Sequence, residues 1–533
     1  MAELNRTLRA LLVTLLVCAA AIPLATSTLS SPSPLDSDVV HDAPLGRTLD
    51  QVGSELDDAR LVRRFVNATE LAACKDLDKL DKKDKRSQVF FPLSFEYGDG
   101  KSHYMASSAQ PSACVYRPKT AEDLAAAVKL VGEQRVRFAV SSGGHASNQG
   151  FSSTKGIHIT LRGFDEVSVA ADRSYVDLGG GKKWDEVYKQ LDGTGLNVVG
   201  GRVPGVGVGG FITGGGGYSW LTNQHGLTGD TLIQADMVLP DGTLATASET
   251  QHPDLFWAIR GGGNQFGIVY RYRLKAYAQS AKIYGGTRIY SVDQLPALVN
   301  ATYDFSENNK DPKAQVITTL NHVGLVGPGA ILLAIYDGDP GSTNPFAAFD
   351  KVPSQKLLGD FKTQSFNDAI SGVPSGLQAG HRGLFHSVMF QRYSKPLLDQ
   401  IQNQTLFWGK KGLLRSQTLV SYDIEPFLSF KDKTKDAAWP HSNDALPLNL
   451  YAAWDNPADD AFWHSAMKES ARVLADQARA EGQKVDDLWL YPNYLIADTP
   501  VEKIFGPNLG RLRQVKRKYD PNGVMRLAGY FDF

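Results

Sequence analysis

Val140-Ser141-Ser142-Gly143-Gly144-His145-Ala146-Ser147-Asn148-Gln149-Gly150 is the stretch from which the rest of the chain can be laid out. It leaves an apolar run, Val136 to Val140, that reads as a buried strand. It then opens into small residues with one histidine among them. Glycine permits backbone conformations and close approaches that other residues reach only at a cost. Small-residue turns also leave N–H groups free to hold an anionic group such as a pyrophosphate. A second such stretch, Gly200 to Gly217, holds ten glycines in eighteen residues. Two glycine loops beside apolar strands imply a large phosphate-bearing cofactor held by backbone.

Plainer explanations exist for each part. A loop histidine is commonly only polar, and a glycine run is commonly only flexible. Gly205-Val206-Gly207-Val208-Gly209-Gly210 satisfies G-x-G-x-x-G. That fingerprint should leave a strand and open directly into a helix. Here it runs on into Phe211-Ile212-Thr213 and four more glycines, so a Rossmann reading is rejected.

The chain has 533 residues, enough for two domains and a large core. Lys plus Arg is 56 and Asp plus Glu is 57. That balance argues against nucleic acid or an anionic membrane as the main partner. Arg6 and Arg9 precede the apolar run Leu11 to Cys18, and Ala25-Thr26-Ser27 fits a small-residue cleavage site. Residues 1–27 are therefore expected to be a signal peptide, with secretion or entry into the secretory lumen. The apolar run is too short to span a bilayer well, so no membrane anchor is expected. With Cys18 in the signal, Cys74 and Cys114 remain as an even pair in an oxidising compartment. A disulfide is expected, two free buried thiols being the alternative. Asn67, Asn300 and Asn403 sit in N-x-[ST] sequons.

Residues 28–70 are Ser-, Pro- and Asp-rich at their start and are expected to be partly disordered. Lys75 to Arg86 reads as a solvated loop or helix face. Thr120 caps a helix, with Asp123 in a variant capping box. Strands follow at Val136–Val140, at Ile157–Leu161 and within Ser168–Leu178, and Trp184, Val187, Tyr188 and Leu191 mark a short helix. Pro240-Asp241-Gly242 turns a hairpin between Leu232–Leu239 and Leu244 onward. Arg260 to Gly267 is a third glycine turn. From about 280 the pattern changes to long apolar runs such as Ala330–Tyr336, and to a helix from Asp459 to Glu481 closed by Gly482.

Ser141 to His145, Val203 to Gly210, Gly214 to Tyr218, Arg260 to Gly267 and Tyr491-Pro492-Asn493-Tyr494 together resemble the FAD-linked oxidases of the vanillyl-alcohol-oxidase superfamily. The berberine bridge enzyme-like branch, with its fungal secreted members, fits best. The resemblance runs from about Cys74 to the C-terminus. It implies an α+β fold: a two-part PCMH-type FAD-binding domain interrupted by a substrate domain of antiparallel sheet plus helices. The implied division is an FAD-binding domain at 71–279 (PCMH-type from about 110), a substrate-binding domain at 280–484, and a C-terminal segment at 485–533 returning to the FAD domain. It implies FAD joined covalently to His145. Cofactor contacts are expected at Ser141, Ser142, Gly143, Gly144, His145, Ala146, Val203, Pro204, Gly205, Gly207, Gly210, Gly214, Gly217, Tyr218, Gly267, Ile268, Val269 and Asn493. Some members make a second link through a Cys, where this chain has Val203. Several carry His where this chain has Phe211.

The family's second tyrosine of Tyr-x-Asn-Tyr maps to Tyr494, the expected catalytic base. A phenol has a reference pKa of about 10 and needs a cation or hydrogen-bond partner to act near neutrality. Packing against the flavin ring or substrate is its alternative role. Asp423 and Glu425 are further base candidates, although most such acids are surface charges. Tyr451, Trp454 and Tyr491 are candidates for a stacking wall, although core packing is the commoner role for each. His225, His441 and His464 form no recognised metal-ligand spacing, and no metal is expected. The expected partners are a small-molecule substrate (an alcohol, sugar or secondary metabolite) and molecular oxygen. The competing functions are an oxidative cyclase and an inactive secreted flavin- or sugar-binding protein.

Overall fold

A computed structural model describes residues 68–84, 88–356, 359–442 and 444–533. The expected signal peptide, nearly all of the segment after it and the Asn67 sequon lie outside the described residues. The fold is α+β, as expected.

Lys75 onward is helical rather than a loop: the helix Ala68–Asp84 carries Cys74, which is disulfide-bonded to Cys114. Cys114 opens the strand Cys114–Arg117 of a four-stranded sheet. Phe138–Ser141 and Ile157–Thr160 pair in parallel there, and Ile157–Thr160 also pairs in parallel with Cys114–Arg117. Parallel pairing requires a crossover, supplied by the helix Ala121–Gln134, whose cap is the Thr120 hydroxyl accepting from Asp123 N at 3.1 Å. Ser141 thus ends a buried strand, and the His145 loop starts at that strand's carboxyl end.

A five-stranded antiparallel sheet follows, in the order Val167–Val169, Tyr175–Gly179, Ile268–Lys275, Leu232–Val238, Leu244–Ser248. The Asp241-Gly242 turn lies where the sequence puts it, with Gly242 at φ +86°. The Gly200–Gly217 stretch is not one loop. Val208–Thr213 forms a short helix inside it, with Val208 and Ile212 buried. Glycine costs a helix about 1 kcal/mol relative to alanine, and burial of those two side chains overrides that penalty.

Residues 283–454 build a seven-stranded antiparallel sheet. Its order is Phe361–Gln364, Ile283–Ser291, Gly327–Tyr336, Ala314–Val323, Gln417–Ile424, Leu446–Trp454, Arg382–Phe390. Side chains alternate between its faces with a period of two. One face meets helices. Thr318 shares a 2.8 Å hydrogen bond with Thr302 of the helix Leu295–Asn308, and Tyr422 shares one of 2.6 Å with Ser470 of Asp460–Ala480. The other face carries Ile317, Thr319, Asn321, Leu419, Ser421, Asp423, Asn449 and Tyr451, which line a cleft. Trp454 is on the helix side, buried, and donates to Asp460 at 2.8 Å. It takes no part in the cleft, against the stacking role considered for it.

Candidate active site

The cleft encloses about 420 Å³ between the glycine loops and the inner face of the seven-stranded sheet. Its loop side is built by backbone meeting backbone. A methyl group on Gly143 would come within 2.4 Å of Gly207 N, so those positions admit only glycine while the two loops stay in contact. Gly144 lies at φ +68° and Gly205 at φ +88°, the left-handed region that glycine enters freely. Ser142 ties the loops together, donating to Gly180 O at 2.6 Å and accepting from Gly209 N at 3.2 Å.

His145 stands on this wall. Its ring stacks on Tyr104 with centroids 4.2 Å apart and planes 17° apart. Tyr104 N also donates to Gly144 O at 2.9 Å, so the same residue holds both the loop and the ring. Burial, with a smaller contribution from Lys183, lowers the imidazole pKa to about 4. The ring is therefore neutral near pH 7 and keeps a nitrogen lone pair. Nε2 is buried and has no hydrogen-bond partner.

Across the cleft stands a buried charged trio. Arg202 Nη2 donates to Tyr494 Oη at 2.7 Å, and Tyr494 Oη donates to Glu425 Oε1 at 3.1 Å. Arg202 Nη1 lies 2.7 Å from Glu425 Oε2, closing the ring of contacts with an ion pair. Burial pushes the Glu425 carboxyl above its usual range, and Arg202 only partly opposes it. Burial pushes the Tyr494 phenol up strongly too, again with Arg202 opposing. Burial works against the Arg202 charge, but Glu425 and Tyr494 outweigh it and the guanidinium stays protonated. Asp423, two residues before Glu425, is half-buried, and its carboxyl pKa is also raised by burial.

Known proteins resemble this chain in both sequence and architecture. The FAD binding domain family matches residues 111–248, and the berberine and berberine-like family matches residues 490–528. An FAD-dependent monooxygenase of Penicillium terrestre is 37% identical over 431 residues, covering 78% of this chain and 80% of the relative. An FAD-linked oxidoreductase of Arthroderma benhamiae is 34% identical over 415 residues, covering 74% and 80%. This chain belongs to the berberine bridge enzyme-like FAD-linked oxidoreductases. Glucooligosaccharide oxidase from Acremonium strictum shares the fold, with a TM-score of 0.71 at 20% identity over 85% of this chain and 97% of that one.

The residues of this oxidoreductase fit FAD. A methyl group on Gly210 would meet nothing within 4 Å, so the cleft is open above that backbone. The wall is small residues and main chain, and a buried imidazole nitrogen without a partner stands in it. Of the expected contacts, Ser142, Gly143, Gly144, His145, Ala146, Val203, Gly207, Gly210, Gly214, Tyr218, Gly267, Ile268, Val269 and Asn493 line the cleft.

Ser141, Pro204, Gly205 and Gly217 do not. Ser141 Oγ turns away to His158 Nε2 at 2.8 Å, because strand alternation directs it to the other side. Pro204 offers its carbonyl to Ser375 Oγ at 3.4 Å. Gly205 sits behind His145, where a methyl group would lie 3.6 Å from Nε2. Gly217 is covered by the Phe211 ring, which a methyl group there would overlap at 2.1 Å. Phe211 itself lines the cleft, as do Tyr451 and Tyr491.

Sequence reasoning missed Arg202 and Tyr104. Arg202 is the one charged residue in the Gly200–Gly217 stretch, which was the available signal. Tyr104 had none.

Proposed function

We propose that this oxidoreductase oxidises a carbon bearing a hydroxyl group, on FAD held covalently by His145, with Tyr494 and Glu425 taking the hydroxyl proton. The single observation that carries the reading is the Tyr494 hydroxyl, held at the cleft wall between a buried cation and a buried carboxylate.

Bound FAD supplies the hydride acceptor for the substrate C–H, with molecular oxygen as the proposed final electron acceptor. The protein's part is proton chemistry and position. A phenol with a strongly raised pKa is a poor base alone. Paired with Glu425 it acts as a relay. The substrate hydroxyl gives its proton to Tyr494 Oη as the Tyr494 proton passes to Glu425 Oε1. Arg202 donates to the same oxygen, which points the phenol proton toward Glu425 and stabilises negative charge there during transfer. Burial raises the Glu425 carboxyl pKa, which makes it a better proton acceptor than an exposed glutamate. The neutral His145 imidazole, clamped by Tyr104, suits a covalent link. The glucooligosaccharide oxidase from Acremonium strictum carries a 6-S-cysteinyl, 8α-N1-histidyl FAD. Val203 lacks the sulfur for a cysteinyl link, which leaves the histidyl link alone.

The proposed division of labour gives the cofactor to residues 71–279 and 485–533 and the substrate to 280–484, whose sheet supplies the opposite wall. The small-molecule substrate meets both. No described helix is long and apolar enough to cross a membrane. The N-terminal Arg-then-apolar pattern and the Cys74–Cys114 bond support export through the secretory pathway.

Anaerobic mixing of the holoenzyme with a panel of primary and secondary alcohols tests the reaction. Bleaching of the flavin without added nicotinamide, then one peroxide per product once air is admitted, is the expected result. Several relatives are FAD-dependent monooxygenases. Product mass separates the possibilities: loss of two hydrogens for oxidation, gain of an oxygen atom for monooxygenation.

A further inference from the structure

The inner face of the seven-stranded sheet carries polar groups in rows fixed by strand register. Thr319 pairs with Asp423, and Asp423 pairs with Asn449. One step along, Asn321 pairs with Ser421, and Ser421 with Tyr451. Both rows line the cleft. Glu425 lies two residues beyond Asp423, just past the end of the strand Gln417–Ile424, so the nearer row adjoins the Arg202–Tyr494–Glu425 contacts.

The hydrogen bonds within these rows leave a specific deficit. Asp423 Oδ1 accepts from Ser421 Oγ at 2.6 Å, and Asp423 Oδ2 accepts from Asn449 Nδ2 at 2.9 Å. The second bond fixes the amide, with its oxygen on the other side. Asn449 Oδ1 is buried and unpartnered; the Tyr451 hydroxyl is buried beside that of Tyr104 without a well-formed hydrogen bond. A buried polar atom without a partner is destabilising. Both residues line the cleft, where a ligand can reach these atoms. Around the rows the walls are apolar: Ile317, Ile331, Leu333, Leu419 and Phe385. Such walls suit a compact hydrocarbon ring better than a chain of hydroxylated sugars.

We propose that Asn449 and Tyr451 form a second recognition station, and that the substrate is a compact, mainly apolar ring carrying hydroxyl groups at its two ends. One hydroxyl is oxidised beside Tyr494. The other donates to Asn449 Oδ1 and accepts from the Tyr451 hydroxyl. The proposal rests on Tyr494 and Glu425 being the proton-accepting pair, and it makes Asn449 the residue that selects among alcohols.

The test is anaerobic titration of the holoenzyme with 4-(hydroxymethyl)cyclohexanol, cyclohexylmethanol and cellobiose, following flavin absorbance for affinity and bleaching for turnover. The expected result is binding of the diol about tenfold tighter than cyclohexylmethanol, the share of one or two neutral hydrogen bonds, with cellobiose weakest. Asn449→Leu should bring the ratio of the two alcohols close to one. Tyr451→Phe removes the hydroxyl and keeps the ring packing; it should lower the ratio severalfold. Equal affinity of the two alcohols, a ratio unmoved by both substitutions, preference for cellobiose, or binding of none of the three would each overturn the proposal. Selective binding of the diol with no bleaching would uphold the station and count against the oxidation reading instead.

Discussion

Arg202 and Tyr494 stand 292 positions apart in the chain and share a 2.7 Å hydrogen bond inside the cleft. That bond joins the second glycine-rich stretch to the C-terminal segment. Glu425, from the seven-stranded sheet, completes the contact. Three separate parts of the chain therefore meet at one phenol oxygen.

Tyr494→Phe should lower the rate of anaerobic flavin reduction about 10²- to 10⁴-fold, the usual share of acid–base catalysis, with flavin content unchanged. Glu425→Gln should fall in the same range. In wild type, kcat/KM should drop as pH falls through the Glu425 pKa, because protonation removes the acceptor. That pKa lies above the ordinary carboxylate value through burial, so the drop should begin at higher pH than for an exposed glutamate. A pH profile flat across the acid range would count against the relay.

Arg202→Leu strands a buried Glu425 and should destabilise the protein by about 3–5 kcal/mol. Arg202→Leu with Glu425→Leu removes both charges and should recover much of that loss. Urea denaturation of the two variants reads the difference. Equal stability would show that the charges are not coupled.

His145→Ala should abolish flavin fluorescence of the denatured protein on a gel, where wild type keeps it. Tyr104→Leu removes the stacked ring and should reduce the covalently bound fraction without abolishing it. A fluorescent His145→Ala band would place the link elsewhere.

Cys74→Ser with Cys114→Ser opens a loop whose ends are 40 residues apart. The expected cost is about 3–4 kcal/mol from the larger entropy of the unfolded chain. Calorimetric melting should show it, and flavin-dependent absorbance of the folded variant should be unaltered.

His441 Nε2 lies 2.9 Å from Asp230 Oδ1, linking the sheet-side loop to the cofactor side. Burial lowers the imidazole pKa, but Asp230 more than reverses this and the net shift is upward. A raised folded-state pKa gives stability that is fully present below the unfolded value of about 6.5 and is lost as pH rises through the folded value. The melting temperature of wild type minus that of His441→Gln should therefore shrink as pH rises above about 6.5. The difference removes the opposite contributions of His145, His225 and His386, whose pKa values burial lowers.

Much of this protein was fixed by local sequence. The His145 loop, the Asp241-Gly242 turn, the Thr120 cap and the apolar runs of the large sheet each carry their instruction within a few residues, because turn conformation, capping and strand alternation are short-range effects. Alternation, however, assigns a residue to one of two faces without saying what lies against that face. The sequence therefore left Asp423 and Glu425 between base candidates and surface acids, and Trp454 between a stacking wall and core packing, until the helices covered one side of the sheet and the glycine loops the other. Arg202 had no visible role until Tyr494 and Glu425 arrived beside it. What chain-local chemistry determined was the cofactor cradle. What only the tertiary structure decided was that Arg202 and Glu425 stand beside Tyr494, because a buried charge finds its partners among residues that the sequence places far away.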